Sequence, residues 1–435
     1  MNIIRLEELM RLKSGENSHQ RAELLKIVDE NGNSTSGPDV YSKSLDLGHK
    51  VRQKGWINVG DISCCLRSCI GLGELYKISE TPHIVVSSKH TRPVIIAAGR
   101  TQYEAFIKAI AGDLNSPFGG FIGLNTPLEY KTAQIINRMF IEGIIAQEYE
   151  EGTVEMLKDI TDVKAHANRF IIETGHLTLA DIDVMPSLQP VAGGYFLQQE
   201  REHPFDARKE TVVVTGNNEN TDINSLDAEL IDDITFGGNA AIYLSSNLVF
   251  FVHDKAIIGL GDGCGSRVDA ARKARLKLEE SVYAAISANR DDVWNRILFG
   301  TPFKREDFEG VIKSPIRTLG FSDAFYPLLD GFVETAGIDR IHPEIASGQY
   351  QFKQKGEMVN FIPKKNNHDP DYDAHLIAWD IVQPGGCDGD NWTKPMARQY
   401  GIRMIFTMTP EMLERRKTDK KVTGRRFFSR HGLDN

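Results

Sequence analysis

The sequence lacks the features that define several classes of protein. Its longest apolar run, around residues 248–251, is followed at once by His253, Asp254 and Lys255, so no segment reaches the length of a membrane span. Charged residues stand too near the N-terminus for a signal peptide. The five cysteines are odd in number and show neither a zinc-ligand spacing nor a paired framework. We therefore expect a cytoplasmic protein without a membrane partner.

An excess of positive charge is also missing. The 435 residues include 51 Lys and Arg against 60 Asp and Glu, a net charge of −9, which gives no general attraction for nucleic acid. Nucleic-acid binding stays open as an alternative only because one short stretch is basic. Salt-dependent binding to random oligonucleotides would test it; the other interpretation is a solvated loop that reaches a phosphate. This stretch contains Arg415, Arg416, Lys417, Lys420, Lys421, Arg425, Arg426 and Arg430.

What the chain does contain is an alternation of strand-like and helix-like segments. Residues 101–112 have apolar side chains at helical spacing, whereas residues 121–124 and 143–146 are short continuous apolar runs. This alternation predicts an α/β layered fold with a largely buried sheet.

A weak internal repeat accompanies this alternation. Residues 85–99 and 243–261 each read as a strand, a polar strand end and a second strand, and each is followed by a predicted helix. Duplication is one interpretation, and chance similarity between two α/β segments is the other. Duplication predicts two domains, 1–205 and 206–435, joined in a polar stretch with turn composition.

The pair Lys89–His90 is the most informative motif. It lies between the apolar runs 83–86 and 94–99, which places it at the end of a strand, where sheets present polar groups to a crevice. A cation beside an imidazole disfavours the imidazolium, so His90 is suited to accept a proton near neutral pH. An ordinary surface turn is the alternative.

Further polar segments lie beside glycines, and the whole set resembles one family in order and spacing. The matching segments are residues 15–20, 89–90, 116–120, 142–146, 193–194, 246–247, 259–268, 322–330, 383–386, 405–407 and 426–431. On these segments the chain is similar to the transformylase domain of the AICAR transformylase/IMP cyclohydrolase family. The cyclohydrolase domain usually precedes the first matching motif, which begins here at residue 15, so we expect formyl transfer without ring closure.

The resemblance implies a fold and a reaction. The expected fold is two tandem three-layer α/β/α domains similar to cytidine deaminase, with an insertion near 338–378. The expected reaction moves a formyl group from 10-formyltetrahydrofolate to the 5-amino group of 5-aminoimidazole-4-carboxamide ribonucleotide (AICAR), a poor nucleophile that needs a base. The deaminase zinc signature is absent, so we expect no metal in the chemistry. The resemblance also implies a homodimer with active sites at its interface.

The resemblance also assigns residues to roles. His90 is the expected base, Lys89 favours its neutral form and assists the formyl oxygen or the departing nitrogen, and Asn247 stabilises the oxyanion. The remaining assignments are His431 to catalysis, Lys13, Ser14, Gly119, Glu142, Arg267, Phe325 and Arg426 to nucleotide binding, and Phe118 and Asp330 to folate binding.

Several segments depart from the family pattern, and two of these departures bear on the choice between catalysis and binding alone. Lys13–Ser14 stand in place of an Arg-Tyr pair, which removes a bidentate fork and an aromatic hydroxyl. Residues 63–66 match an asparagine-bearing helix start but contain no asparagine. These departures favour an alternative, a family-like protein that binds nucleotide or folate without catalysis. The retained Lys89, His90, Asn247 and Asp330 argue against it. We expect the basic tail, including Arg426, to supply the missing phosphate contacts.

Overall fold

The computed structural model of the chain forms two compact units. The first contains residues 1–204 and 300–307, and the second contains residues 205–299 and 308–435. Within the part of the chain that the structure describes, no helix has both the length and the apolar character needed to cross a membrane. The described residues are 5–29, 31–33, 41, 45–48, 53–76, 82–159, 168–182, 187–198, 204–214, 220–322, 380–383, 403–407 and 409–418.

The first unit is organised around a mixed sheet with the strand order β5-β4-β6-β7-β8-β3. Two further antiparallel pairs, β1–β2 and β9–β10, stand apart from this sheet. Its elements are β1 (Arg5–Arg11), β2 (Glu23–Val28), β3 (Leu45–Asp46), α1 (Trp56–Leu75), β4 (His83–Lys89), β5 (Arg92–Gly99), α2 (Gln102–Gly112), β6 (Phe121–Leu124), α3 (Tyr130–Ile136), β7 (Gly143–Ala146), α4 (Thr153–Lys158), β8 (Phe170–Glu173), α5 (Leu179–Ile182), β9 (Ser187–Val191) and β10 (Gly194–Gln198).

Continuous burial of the central strands places the core of this unit. Every residue of β6 and β7 is buried, as expected for neighbouring parallel strands covered on both faces. Helix α1 packs on β4 and β6, and α2 packs on β5 and β4. Helix α2 begins where the Thr101 side chain accepts a hydrogen bond from the amide of Glu104, a typical N-cap.

The second unit contains a sheet with the order β14-β13-β15-β16-β17-β11-β12. A short helix, Glu306–Glu309, straddles the division between the two units along the chain. The elements that follow residue 204, apart from that helix, are α6 (Ala207–Glu210), β11 (Val212–Val214), β12 (Asn220–Thr221), a 3-10 helix (Ile223–Ser225), α7 (Ala228–Ala240), a 3-10 helix (Ala241–Tyr243), β13 (Val249–His253), β14 (Ala256–Gly261), α8 (Arg267–Glu279), α9 (Val282–Ala288), α10 (Asp291–Leu298), β15 (Leu319–Ser322), β16 (Asp380–Gln383), β17 (Arg403–Phe406) and α11 (Pro410–Thr418).

The two units repeat one topology. In each, a hairpin (β4–β5 or β13–β14) is followed in the sheet by one antiparallel neighbour and then by two parallel pairings. In each, a strand from before the first long helix then pairs antiparallel with the last of these strands. In the second unit β12 pairs with the other side of this strand. The shared order supports duplication over chance similarity.

The predicted α/β class is confirmed, but one alignment of the repeat was wrong. The counterpart of β4 is β13, not residues 243–247, which form the end of a 3-10 helix and a loop. The apolar side chains of residues 249–252 are all buried and belong to the strand instead. The predicted insertion at 338–378 lies outside the described residues.

Candidate active site

The Lys89–His90 motif lies at the tip of the β4–β5 hairpin. Lys89 is the last residue of β4 and pairs with Arg92, so His90 and Thr91 are the two residues of the turn. Their φ angles are 56° and 63°, the left-handed values of a type I′ turn. Neither is a glycine, and such values are uncommon for other residues. The His90 side chain is exposed, and the surroundings must hold this backbone in place.

A buried carboxylate on α1 supports the turn. Asp61 Oδ1 accepts a hydrogen bond from the Thr91 amide at 2.6 Å, and the His90 amide also hydrogen-bonds to this carboxylate. The Ser88 hydroxyl donates to the Asp61 carbonyl oxygen at 2.7 Å. Burial raises the pKa of the Asp61 carboxyl, although the amides of Thr91 and His90 act to lower it. Asp61 therefore joins the helix to the end of β4 and to the turn.

Asp61 was missed by sequence reasoning because it stands alone in an apolar stretch. Its neighbours on the buried side of α1 are Ile62 and Cys65, and Asp61 itself is only 3% exposed. An acid at a buried helical position is a signal, since charged groups are seldom buried without a partner. The partner in this case is a backbone turn, which sequence patterns do not mark.

Lys89 contacts a glycine-containing loop. Its Nζ donates to the carbonyl oxygen of Phe118 at 2.7 Å, and Gly119 beside it adopts a φ of 71°. The Phe118 ring is 58% exposed and packs on Phe140, with ring centroids 4.9 Å apart. The Gly119 amide donates to the Phe140 carbonyl oxygen at 2.9 Å, which fixes the loop to the chain segment that carries the second ring. The Phe118–Phe140 pair thus offers an exposed aromatic surface next to Lys89.

Glu142 is connected to the same loop and to the start of α1. Its amide donates to the Gly120 carbonyl oxygen at 2.8 Å, and its carboxylate accepts from Asn58 Nδ2 at 2.9 Å. Asn58 Oδ1 in turn accepts from the Gly55 amide at 3.0 Å. The placement of the helix start at residues 63–66 was therefore wrong. The helix begins at Trp56 and carries an asparagine in its first turn.

Lys13 and Ser14 also lie at the start of α1. The Lys13 amide donates to the Lys54 carbonyl oxygen at 2.9 Å, and the Trp56 amide donates to the Ser14 carbonyl oxygen at 3.1 Å. The Lys13 side chain is exposed, as a group that meets a ligand must be. The fold of the first unit therefore connects seven of the predicted residues through the first two turns of α1. They are Lys13, Ser14, Lys89, His90, Phe118, Gly119 and Glu142.

Asn247 belongs to the second unit and precedes β13. Its Nδ2 donates to the Cys264 carbonyl oxygen at 3.0 Å, which uses one of its two amide hydrogens. Backbone bonds in both directions between Asn247 and Cys264 hold this segment to the glycine-rich loop before α8. Arg267 is the first residue of α8, and its side chain is not described. The other predicted residues, Phe325, Asp330, Arg426 and His431, lie outside the described part of the chain.

The second unit contains a turn equivalent to the His90 turn. Asp254 and Lys255 have φ angles of 43° and 58°, and both amides donate to the buried carboxylate of Asp233, at 2.9 and 2.8 Å. Lys255 Nζ lies 3.0 Å from Asp254, and both of these side chains are largely buried. This turn repeats the architecture of the first one, but its side chains pair with each other.

Potential metal ligands do not cluster in the part of the chain that can be described. No group of three or more His, Cys, Asp or Glu residues there is arranged to hold a metal ion. Cys64, Cys65 and Cys69 are buried, and burial raises the pKa of the Cys65 thiol well above its usual range. Buried thiols of this kind are poor nucleophiles, as expected of small packing groups.

The fold and site define an α/β protein of two units with the same strand order and with a lysine–histidine turn beside an exposed aromatic pair. Comparison of its sequence with known proteins places it further. A sequence model described as the AICARFT/IMPCHase bienzyme matches residues 2–277. The chain therefore belongs to the AICARFT/IMPCHase bienzyme family.

Individual relatives extend the similarity along the chain. A protein of Pelodictyon phaeoclathratiforme and one of Chlorobaculum parvum, each called bifunctional purine biosynthesis protein PurH, are both 31% identical to it over 411 residues, 93% of the chain. A protein of the same name from Rhodopirellula baltica is 31% identical over 290 residues, 65% of the chain and 50% of that relative. The matches to the first two cover 58% and 59% of those relatives' own lengths.

Proposed function

We propose that this chain transfers the formyl group of 10-formyltetrahydrofolate to the 5-amino group of AICAR, as an enzyme of purine biosynthesis. Membership of the family supports this proposal, and one structural observation carries it. An exposed imidazole, His90, stands on a turn held by a buried carboxylate, and the adjacent Lys89 is bonded to the loop that carries Phe118. Such an arrangement places a base and a cation beside a surface for a flat ring.

The proposed reaction begins with the amine. Its nitrogen attacks the formyl carbon while His90 accepts the proton, because the conjugated amine is a weak nucleophile. The formyl oxygen becomes an oxyanion, stabilised by the Lys89 cation and an amide hydrogen of Asn247. The bond from the formyl carbon to N10 then breaks, and N10 takes the proton from the imidazolium. The products are the formamido nucleotide and tetrahydrofolate, and His90 is neutral again.

The proposed binding contacts follow the groups around the start of α1. The Phe118–Phe140 pair stacks on an aromatic portion of the folate, and the Glu142 carboxylate accepts from a ribose hydroxyl. Lys13 and Ser14 lie beside a helix N-terminus, which favours an anion such as the nucleotide phosphate. We also assign Arg426 in the tail to the phosphate and Asp330 to the pterin. Both residues lie outside the described part of the chain.

We further propose that this chain leaves the ring open and acts as a homodimer with active sites at its interface. Its matching motifs belong to the transformylase, so ring closure requires a separate catalyst. Accumulation of inosine monophosphate from AICAR and the folate with this chain alone would contradict the first statement. The second statement would be contradicted if analytical ultracentrifugation found only monomers at a concentration at which the assay shows full activity.

A formyl-transfer assay with product analysis tests the function. Purified protein is mixed with AICAR and either 10-formyltetrahydrofolate or formate with ATP, and products are separated by chromatography. We expect the formamido nucleotide with the folate and none with formate. Turnover with formate and ATP but not with the folate would show that formate, not the folate, is the formyl donor. Binding of both ligands by calorimetry without turnover would favour the non-catalytic alternative.

A further inference from the structure

We infer that Asp61 is a positioning residue for the base: it holds the His90–Thr91 turn and supplies a buried negative charge when the imidazole takes up a proton. This inference rests on the proposed role of His90. The bonds of Asp61 described above go to the amides of His90 and Thr91 and to the Ser88 hydroxyl, not to a substrate group. It acts instead on the backbone that carries His90.

The first step of the inference concerns geometry. Two consecutive amides, those of His90 and Thr91, point to one carboxylate, and the Ser88 hydroxyl reaches the carbonyl of the same residue. A Cβ added at Gly60 would come within 2.4 Å of Thr91 Cγ2, so α1 approaches the turn closely at this point. An exposed histidine on a two-residue turn would otherwise sample several backbone conformations. The carboxylate restricts it to one.

The second step compares the two units. Asp233 on α7 accepts from the amides of Asp254 and Lys255, just as Asp61 on α1 accepts from those of the His90 turn. A buried carboxylate under this turn is therefore part of the repeated architecture. The difference lies above it, since Asp254 and Lys255 pair with each other whereas His90 is exposed. The first unit thus combines the shared turn support with a group able to exchange protons.

The third step concerns charge. The negative charge of the Asp61 carboxylate attracts the positive charge that the ring gains when His90 accepts the proton of the amine. Other titratable or charged groups also surround this turn: Cys65 on α1, Glu142 before β7, and Lys89 and Arg92 on the hairpin itself. Asp61 is distinguished from them by its bond to the amide of the turn. It is also buried, at 3% exposure.

The test compares Asp61→Asn with Asp233→Asn. Asparagine keeps one oxygen acceptor but removes the charge, so each variant loses the same kind of group from the same kind of turn. We expect Asp61→Asn to lower kcat about 10- to 100-fold, with KM for both substrates nearly unchanged, since misplacement of a reacting group has effects of this order. The acid limb of its rate profile should move to lower pH, because the imidazolium loses a stabilising charge. Asp233→Asn should alter thermal stability but neither kcat nor the profile.

A measurement without turnover separates this inference from the proposed function. The NMR titration midpoint of the His90 ring, assigned with His90→Gln, should fall in Asp61→Asn and stay in place in Asp233→Asn. If the wild type transfers no formyl group but this midpoint moves, the proposed function fails and the positioning role stands. If the midpoint, kcat and rate profile are all those of the wild type in Asp61→Asn, the positioning role is refuted, whether or not formyl transfer occurs.

Discussion

Gly120→Ala tests how tightly the loop that carries Phe118 is held against the end of β4. A Cβ added at Gly120 would lie 2.5 Å from the Ser88 carbonyl oxygen and 3.5 Å from Lys89 Cβ. Ordinary van der Waals contact begins at 3.4 Å, so the loop or the strand must move by about 0.9 Å, the difference between 3.4 and 2.5. The 2.5 Å contact is between the main chains of the loop and the strand, and a main chain cannot rotate out of the way as a side chain can.

Two effects should follow from this displacement. Overpacking of this kind costs about 1–3 kcal/mol. For a unit of this size each kcal/mol lowers the melting temperature by about 2–4 °C, so we expect a decrease of about 2–12 °C by differential scanning fluorimetry. The shift also separates Lys89 Nζ from the Phe118 carbonyl oxygen, a bond of 2.7 Å. Since a displacement of 1 Å can cost about 10²-fold in rate, kcat/KM should fall about 10- to 100-fold.

Gly310→Ala is the matched control for this variant. A Cβ added there meets no atom within 4 Å, and Gly310 belongs to the second unit. Its melting temperature and kcat/KM should stay close to those of the wild type. If Gly120→Ala behaves like Gly310→Ala in both measurements, the loop is not held against β4 as described, and the role assigned to it is wrong.

Four further outcomes are expected. Phe118→Ala should raise KM for the folate about 2- to 10-fold in steady-state assays, because ring contacts contribute about 0.5–1.5 kcal/mol, and Phe299→Ala, whose ring is 88% exposed, should not. Lys89→Met should move the acid limb of the rate profile to higher pH, since removal of a cation favours the imidazolium; an unmoved limb would contradict this. Burial raises the pKa of Asp61 above 3.8, so, as the pH falls, this carboxylate takes up a proton at a higher pH in the folded protein than in the unfolded chain. Urea unfolding should therefore show the wild type gaining stability relative to Asp61→Asn as pH falls from 7 toward 4. A difference in the free energy of unfolding that does not change with pH would contradict the raised pKa of Asp61. Deletion of the residues after Thr418 should raise KM for the nucleotide far more than KM for the folate. Equal effects on the two KM values would show that the tail does not bind the phosphate.

Much of the fold could be predicted from local patterns. The apolar runs at residues 121–124 and 143–146 become strands because they are short, continuous and buried. The helix Gln102–Gly112 follows its apolar spacing and its Thr101 cap. The alignment of the repeat failed at residues 243–247 because a buried Leu244 in a loop resembles the start of a strand when only hydrophobicity is considered.

The candidate site was only partly predictable, for a physical reason. Lys89 and His90 carry a recognisable side-chain pattern, and the sequence places them at a strand end. The supporting residues act through the backbone: Asp61 accepts from the Thr91 amide, 30 residues away, and the Phe140 carbonyl oxygen accepts from the Gly119 amide. Glu142 was assigned by resemblance alone, and its bond to Asn58, across 84 residues, could not be foreseen. Contacts of this kind arise from the fold and leave no periodic signal.

The most direct test of the proposed chemistry is a single-turnover comparison of the wild type with His90→Ala. Enzyme in excess over AICAR is mixed with ¹³C-formyl-labelled 10-formyltetrahydrofolate, and the labelled formamido nucleotide is followed by NMR or rapid quench. We expect transfer by the wild type and a rate about 10²- to 10⁴-fold lower in His90→Ala, with both substrates still bound in calorimetry. Transfer by His90→Ala at the wild-type rate, or no folate-dependent transfer by the wild type, would contradict the role of His90 and the proposed reaction respectively.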